Sequence, residues 1–481
     1  MGSMPKNQEL VSDRISALPS EVLCHILSFL PTNYAVRTTV LSKRWKNIWT
    51  SVPNLYFCDD DYPEVNDFTA FVNQVLDFHD LSRIQKFHLH CDDDYFEHPP
   101  VDRWIHAAIE RKVVELDLCV HHSEPDQNFE LPQNIFKCET LKVLKLQFHF
   151  IARPPTSKCF PNLKFLNVDI HHPDVDSVEK VLSYFPVLED LVIGGFLDDY
   201  DVESLDINIS APELKTLVLS IETENFDEDF KLCTNSPKLE FLDVRLYGLS
   251  NFSLSINENS VVKANIDLPY EEQPSGESAD VEDIHQYAEQ HDRAIAIFKD
   301  ICNVKYLSLS AHNLEGDLPA FDNLNQLKLV LFDCDYWRFL TKLLQRSPNL
   351  EHLVFEHKVQ RSYSYSTPIP AGSLISGAFV DCYKEFVKCS ECNEEDFEHE
   401  FYPPEIVPVS LSSHLKTITV NRYKGTRYEV QLVKYLLKNG EVLNKMTIST
   451  EVTSDEQKKA LFEEFLLFQR GSKTCEVEMQ F

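Results

Sequence analysis

The chain has 481 residues, 43% apolar and 25% charged, the balance of a soluble folded protein of two or three domains or of one extended repeat array. Its 45 basic and 77 acidic residues give a formal charge of −32, which disfavours nucleic acid and anionic membrane surfaces as partners. Only 11 residues are glycine; there is no Gly-rich phosphate loop, GxSxG elbow or HExxH helix, and the composition points away from an enzyme.

The opening residues, MGSMPKNQEL, lack an apolar signal core, and Lys6 stands where a myristoylation signal needs Ser or Thr. No run of eighteen apolar residues offers a membrane span. The expected location is the cytoplasm, the nucleus or both. Thirteen cysteines, an odd number scattered from Cys24 to Cys475, fit buried thiols better than a disulfide framework. No metal site and no cofactor is expected.

Residues 1–11 read as a flexible arm. The next block, 12–58, has three helical signals. Pro19 opens the first, on which Leu18, Val22, Leu23, Ile26, Leu27 and Leu30 recur at helical spacing. Thr32 is placed to cap a second helix carrying Tyr34, Val36 and Val40. Ser42 is placed to cap a third carrying Trp45, Ile48 and Trp49. Three short helices cannot bury this much apolar surface among themselves, so part of it must face another element or another protein.

The run LPSEVLCHILSFLPTNYAVRTTVLSKRWKNIW resembles the F-box of the large plant family of F-box proteins with leucine-rich repeats. The resemblance implies docking on a Skp-type adaptor, and through it on a cullin. Its adaptor surface would be Leu18, Pro19, Val22, Ile26, Leu27, Val40, Leu41, Arg44 and Trp45, with Leu23 and Leu30 holding the helices together.

Over 84–400 a pattern of apolar, two others, then apolar-x-apolar starts at Ile84, Val113, Leu141, Leu163, Leu188, Leu214, Leu239, Val304, Leu324 and Leu350. It returns at Leu415 and Leu443, and VVKANIDL from Val261 is a degenerate copy. Most spacings fall between roughly 20 and 29 residues, the period of leucine-rich repeats. Strand alternation then turns Leu217 and Leu219 to a core while Thr216, Val218 and Ser220 face outward. The Asn or Cys that usually follows the strand is replaced by His121, His149, His171 and His312. They and the pairs His121–His122 and His171–His172 are expected to bond loop backbone rather than metal. Two insertions are expected, an acidic one near 269–292 and another near 356–400. The second carries Cys382, Cys389, Cys392 and His399, whose single CxxC step lacks the second pair of a zinc site.

The final block, 401–481, resembles the FBD region that follows the repeats in the same plant family. The matching residues include Leu411 to Lys416, Gly425, Glu429, Leu432, Tyr435, Leu436, Leu437, Asn439, Leu443 and Met446. It reads as strand, turn at Gly425, helix, strand, helix, and as a cap on the repeats. The expected fold is thus α/β: a three-helix F-box, then an irregular leucine-rich-repeat solenoid whose parallel curved sheet is backed by helices and loops, then the FBD region. The resemblance implies a non-catalytic substrate-recognition subunit of an SCF ubiquitin ligase. The alternative is a repeat scaffold uncoupled from ubiquitination. Target binding is expected at outward strand positions bearing unusual residues, namely Phe165, Asn167, Phe241, Asp243, Arg245 and Tyr306.

Overall fold

The computed structural model describes residues 15–62, 64–80, 83–92, 100–121, 129–147, 150–151, 159–171, 182, 185–196, 204–222, 229–247, 251–256, 260–268, 292–310, 317–331, 337–357, 404, 406–451 and 454–481. The arm over 1–11, the acidic insertion up to residue 291, and the set Cys382, Cys389, Cys392 and His399 lie outside the described residues, as do His122, His149, His172, His312 and the side chains of His121 and His171. Two units divide the chain, residues 1–188 and 189–481.

In the first unit, helices α1 (Ser20–Leu27) and α2 (Thr32–Arg37) close on a core of Leu23, Leu27, Ala35, Trp45, Ile48 and Val52. The expected third helix is instead a pair of short 3₁₀ turns, Trp45–Asn47 and Trp49–Ser51. Its two buried residues, Trp45 and Ile48, are three apart, the repeat of a 3₁₀ turn. Thr32 does not cap α2. Its hydroxyl accepts the Tyr56 backbone N–H at 2.7 Å, and Asn54 Nδ2 donates to Ser28 O at 3.3 Å, so side chains tie the helices to the chain that follows.

That following chain is already repeat. Strand β1 (Asn54–Cys58) pairs in parallel with β2 (Lys86–Asp92), so the sheet starts about one repeat before the expected boundary at 84. The sheet continues through β3 (Glu115–His121), β5 (Val143–Gln147) and β7 (Phe165–His171), while the short β4 (Phe129–Glu130) and β6 (Phe150–Ile151) pair with each other. Register aligns the core residues into rows: Leu55, Phe87, Leu116, Leu144 and Leu166 form one, and Phe57, Leu89, Leu118, Leu146 and Val168 the next. Helices α3 (Val65–Phe78) and α4 (Val101–Glu110) bury Phe68, Val72, Val75 and Leu76, and Val101, Trp104, Ile105 and Ala108. Trp104 meets Phe68 edge-on and donates from Nε1 to Asn73 Oδ1 at 2.9 Å.

The second unit carries strands β8 (Asp190–Phe196), β9 (Ser204–Ser210), β10 (Thr216–Glu222), β11 (Asp229–Asn235), β12 (Phe241–Tyr247), β13 (Asn251–Ser255), β14 (Lys263–Asp267), β15 (Tyr306–Ser310) and β16 (Gln326–Leu331). Helix α5 (Trp337–Arg346), β17 (His352–His357), α6 (Val409–Ser413), β18 (Thr417–Asn421), α7 (Arg427–Asn439), β19 (Lys445–Ser449), α8 (Asp455–Leu466) and β20 (Glu476–Gln480) complete it. Strands β8, β10, β12 and β14 to β20 form one parallel sheet in that order. In β10, Leu217, Leu219 and Ile221 are buried and their neighbours face outward, as alternation requires. A second parallel ladder, β9–β11–β13, stands where helices and loops were expected, and it buries Leu205, Ile207, Phe230, Leu232 and Phe252.

One backbone device recurs in both units. The carbonyl just before a strand accepts two N–H groups from the next repeat. Lys142 O takes those of Lys164 and Phe165 (2.8 and 3.0 Å), and Lys215 O those of Glu240 and Phe241 (both 2.9 Å). Each strand is thereby started in register with its neighbour. The described cysteines are all free thiols; Cys91, Cys119, Cys138 and Cys475 are buried, Cys233 is exposed and the rest lie between.

The FBD region follows its expected order and adds a last strand, β20. Gly425 turns the chain with φ +76°, a left-handed conformation that favours glycine. Gly471 passes so close to the end of α7 that a Cβ would lie 2.6 Å from Lys438 O. At the start of α7, Thr426 and Glu429 form a reciprocal capping box. The buried Glu429 carboxylate also accepts from the Lys424 N–H at 3.2 Å and the Thr426 hydroxyl at 3.2 Å. Glu429→Ala leaves those donors unmet and is expected to cost about 1–3 kcal/mol, with Glu429→Gln costing less, as measured by chemical denaturation.

Candidate functional site

Helix α1 carries apolar side chains both toward the core and toward solvent. Leu23 and Leu27 point into the core, while Val22 and Ile26, also four residues apart, point to solvent. Phe29 and Leu30 continue the exposed stripe, Tyr34 adds to it from α2, and the 3₁₀ turn Thr38–Val40 and the next residue present Val40, 85% exposed, and Leu41, 64%. Among the described residues, eight of the nineteen exposed large apolar side chains fall between Ile15 and Leu41. Such crowding is what a covered interface shows when its partner is removed.

The expected adaptor residues separate on this geometry. Pro19, Val22, Ile26, Val40 and Leu41 are exposed, and Leu18 is half-buried against the core. Leu27, 1% exposed, and Trp45, 5%, lie in the core of the helices. Arg44 is exposed, but its guanidinium donates to the Ser16 and Leu18 carbonyls, and Trp45 Nε1 donates to Ser16 Oγ at 2.8 Å. Together they clamp the segment that presents Leu18 and Pro19. Leu23 is in the core as expected, but Leu30 is exposed. Ile15, Phe29 and Tyr34 are also exposed, although none was among the expected contact residues.

On the outward face of the first unit's sheet, charges interlock across strands. Lys86 meets Glu115 at 2.7 Å and Lys145 meets Asp117 at 2.9 Å, with His88 Nδ1 3.3 Å from Asp117 and stacked on Tyr56. Burial acts to raise the Asp117 pKa, but the hydrogen bonds and charges of His88 and Lys145 outweigh it and hold the carboxyl below its ordinary value. The expected target residues Phe165 and Asn167 lie on β7 of this unit, where Asn167 is buried and Phe165 half-buried.

In the second unit, Phe241, Asp243, Arg245 and Tyr306 share one patch. Register sets Phe241, Lys263 and Tyr306 side by side, with Lys263 Nζ 5.2 Å from the Phe241 ring centroid. Asp243 is buried, paired with Arg245 at 3.0 Å, and accepts from Asn265 Nδ2 at 3.1 Å. Tyr306, 42% exposed, is the most accessible of the four. Lys263 and Asn265 were missed, since they sit on the degenerate repeat.

Comparison with known proteins matches three segments in chain order. Residues 15–57 match the F-box domain, 101–264 match the repeats described as "FBD-associated F-box protein At5g56370, LRR repeats", and 403–448 match FBD. The chain is similar to F-box/LRR-repeat protein 13 of Arabidopsis thaliana, 30% identical over 480 residues that cover 97% of this chain and 96% of that protein. It is also similar to F-box/FBD/LRR-repeat protein At2g26030 of the same plant, 27% identical over 97% of this chain and 98% of that protein. F-box/LRR-repeat protein At4g14103, again from Arabidopsis thaliana, is 34% identical over 73% of this chain and 93% of its own. With helices that end in an exposed apolar face, a repeat sheet and a closing FBD region, all matched in sequence, the chain belongs to the plant family of F-box/FBD/LRR-repeat proteins.

Proposed function

We propose that this chain is a substrate-recognition subunit of an SCF ubiquitin ligase: the N-terminal helices bind a Skp-type adaptor, and through it a cullin, while the repeats hold a protein target. The observation that carries the reading is the crowding of exposed apolar side chains between Ile15 and Leu41. Its contact set is Leu18, Pro19, Val22, Ile26, Val40 and Leu41, with Phe29 and Tyr34 alongside. Arg44 and Trp45 act as positioning residues. Family membership supports the reading, since F-box proteins with leucine-rich repeats generally serve as SCF substrate receptors. This subunit performs no covalent chemistry; ubiquitin transfer belongs to other components of the ligase.

Side-chain ties from Thr32 to Tyr56 and from Asn54 to Ser28 join the F-box to the first strand of its unit. An adaptor held on the F-box is therefore held in a fixed relation to that strand. The direct test is co-purification of the chain with a Skp-type adaptor. Failure to associate would leave a repeat scaffold uncoupled from ubiquitination.

The target surface includes the row Phe241, Lys263 and Tyr306. Phe241→Ala with Tyr306→Ala is expected to weaken capture of the cellular target about tenfold or more while adaptor binding is unchanged, measured by quantitative affinity purification. Unaltered target capture would remove this patch from the reading.

A further inference from the structure

Strand β1 ends in Cys58, and the next residues, Asp59–Asp61, wind into a 3₁₀ turn. Parallel register sets Cys58 opposite His90 on β2. The donor atoms of Cys58, Asp60 and His90 all lie within 4.8 Å of one another. Cys58 and Asp60 also line a cavity of about 190 Å³, walled by Pro31 and Asn33 of the F-box and by Tyr56 and Phe71 of the first repeat.

We propose that Cys58, Asp60 and His90 form a binding site for a divalent transition-metal ion of the zinc class, at the mouth of this cavity. One sulfur, one imidazole nitrogen and one carboxylate oxygen make a donor set that suits Zn²⁺, whose sites draw on these three ligand types. On a tetrahedral ion with bonds of about 2.0–2.3 Å, ligand atoms stand roughly 3.3–3.7 Å apart. The observed spread thus asks for about an ångström of adjustment, which the exposed Asp60 on its turn is placed to supply. Three protein ligands leave a fourth position for water or for a group entering the cavity.

Zn²⁺ binding replaces the Cys58 thiol proton: the S–H bond breaks, a Zn–S bond forms and one proton leaves to solvent, with no change of oxidation state. The ion would fasten the Asp59–Asp61 turn to β1 and β2 where the F-box meets the sheet. The expectation of no metal site rested on spacing along the chain, and Cys58 and His90 are brought together only by strand register.

The test is titration of the full-length chain with Co²⁺ in a metal-free, non-thiol reductant. The expected result is a thiolate-to-cobalt charge-transfer band saturating at one equivalent and displaced by Zn²⁺. It should be lost in Cys58→Ala and in His90→Ala, and retained in Cys389→Ser with Cys392→Ser. Zn²⁺ should raise the melting temperature of the wild type and not that of His90→Ala. A wild type without the band overturns the proposal, as does a band that survives His90→Ala or follows Cys389 and Cys392. If Cys58→Ala does not fold, His90→Ala alone decides.

Discussion

Replacing Val40 and Leu41 together by aspartate is expected to lower affinity for a Skp-type adaptor by about 100-fold or more while the chain melts as before. Both side chains are exposed and neither belongs to the core of the helices, so the folded chain alone loses little; such surface changes usually stay within about 0.5 kcal/mol. In a complex, the same positions would carry two carboxylates into an apolar contact. Buried apolar anchors are worth about 2 kcal/mol or more each, and tenfold in affinity is about 1.4 kcal/mol. The experiment is a binding isotherm beside a thermal melt. Leu27→Ala supplies the contrast: it should also reduce binding, but through a core cavity costing about 2–5 kcal/mol, and the melt will register it. Full binding by the Val40→Asp, Leu41→Asp variant would remove this face from the adaptor reading.

Trp104→Ala is expected to be the most damaging single change in the first unit, costing about 3–5 kcal/mol of unfolding free energy. Trp104 is wholly buried, packs edge-on against Phe68 of α3 and spends its one polar group on Asn73. Truncation removes the contact between α3 and α4 and leaves Asn73 Oδ1 without that donor. Trp104→Phe keeps most of the apolar volume and loses the hydrogen bond, for which about 1–2 kcal/mol is expected. Denaturant titration of the two variants separates packing from hydrogen bonding. If they cost the same, the packing account of this site fails.

Much of this architecture is written in short-range pattern. All twelve repeat starts read from the sequence precede a strand by two residues: Ile84 leads to Lys86, Leu214 to Thr216, Leu443 to Lys445. The degenerate copy at Val261 leads to Lys263 by the same offset. What escaped shows where such reading stops. Val52, Leu55 and Phe57 fit the motif, but they sit 32 residues before Ile84 and inside the F-box match, so β1 went uncounted. At β20 the leading position is Thr474, and a polar residue there hides the pattern. The ladder β9–β11–β13 repeats at 25 and 22 residues, but its apolar rows mix Leu, Ile and Phe and so do not read as the leucine motif.

Which of the expected adaptor residues face inward and which outward was not legible in the sequence. Val22 and Leu23 are neighbours of equal hydrophobicity, and only the packing of α1 tells them apart. Arg44 and Trp45 stand out in sequence, yet their contacts run to Ser16 and Leu18, some 26–29 residues away, which no local pattern encodes.

The spacing of paired strands also bears on how the protein is made. Strands β16 and β17 pair across 26 residues, from Gln326 to His352, so each emerging repeat finds its partner already synthesised. Between β17 and β18 the separation is 65 residues, from His352 to Thr417. Loop closure grows only with the logarithm of length, so the longer span adds about 0.8 kcal/mol, roughly the worth of one buried methylene. During translation the FBD strands must therefore wait for some forty further residues, on the order of seconds at the ribosome, and until then the edge of β17 is uncovered. A chaperone that transiently covers exposed strand edges has its natural moment of action in that interval.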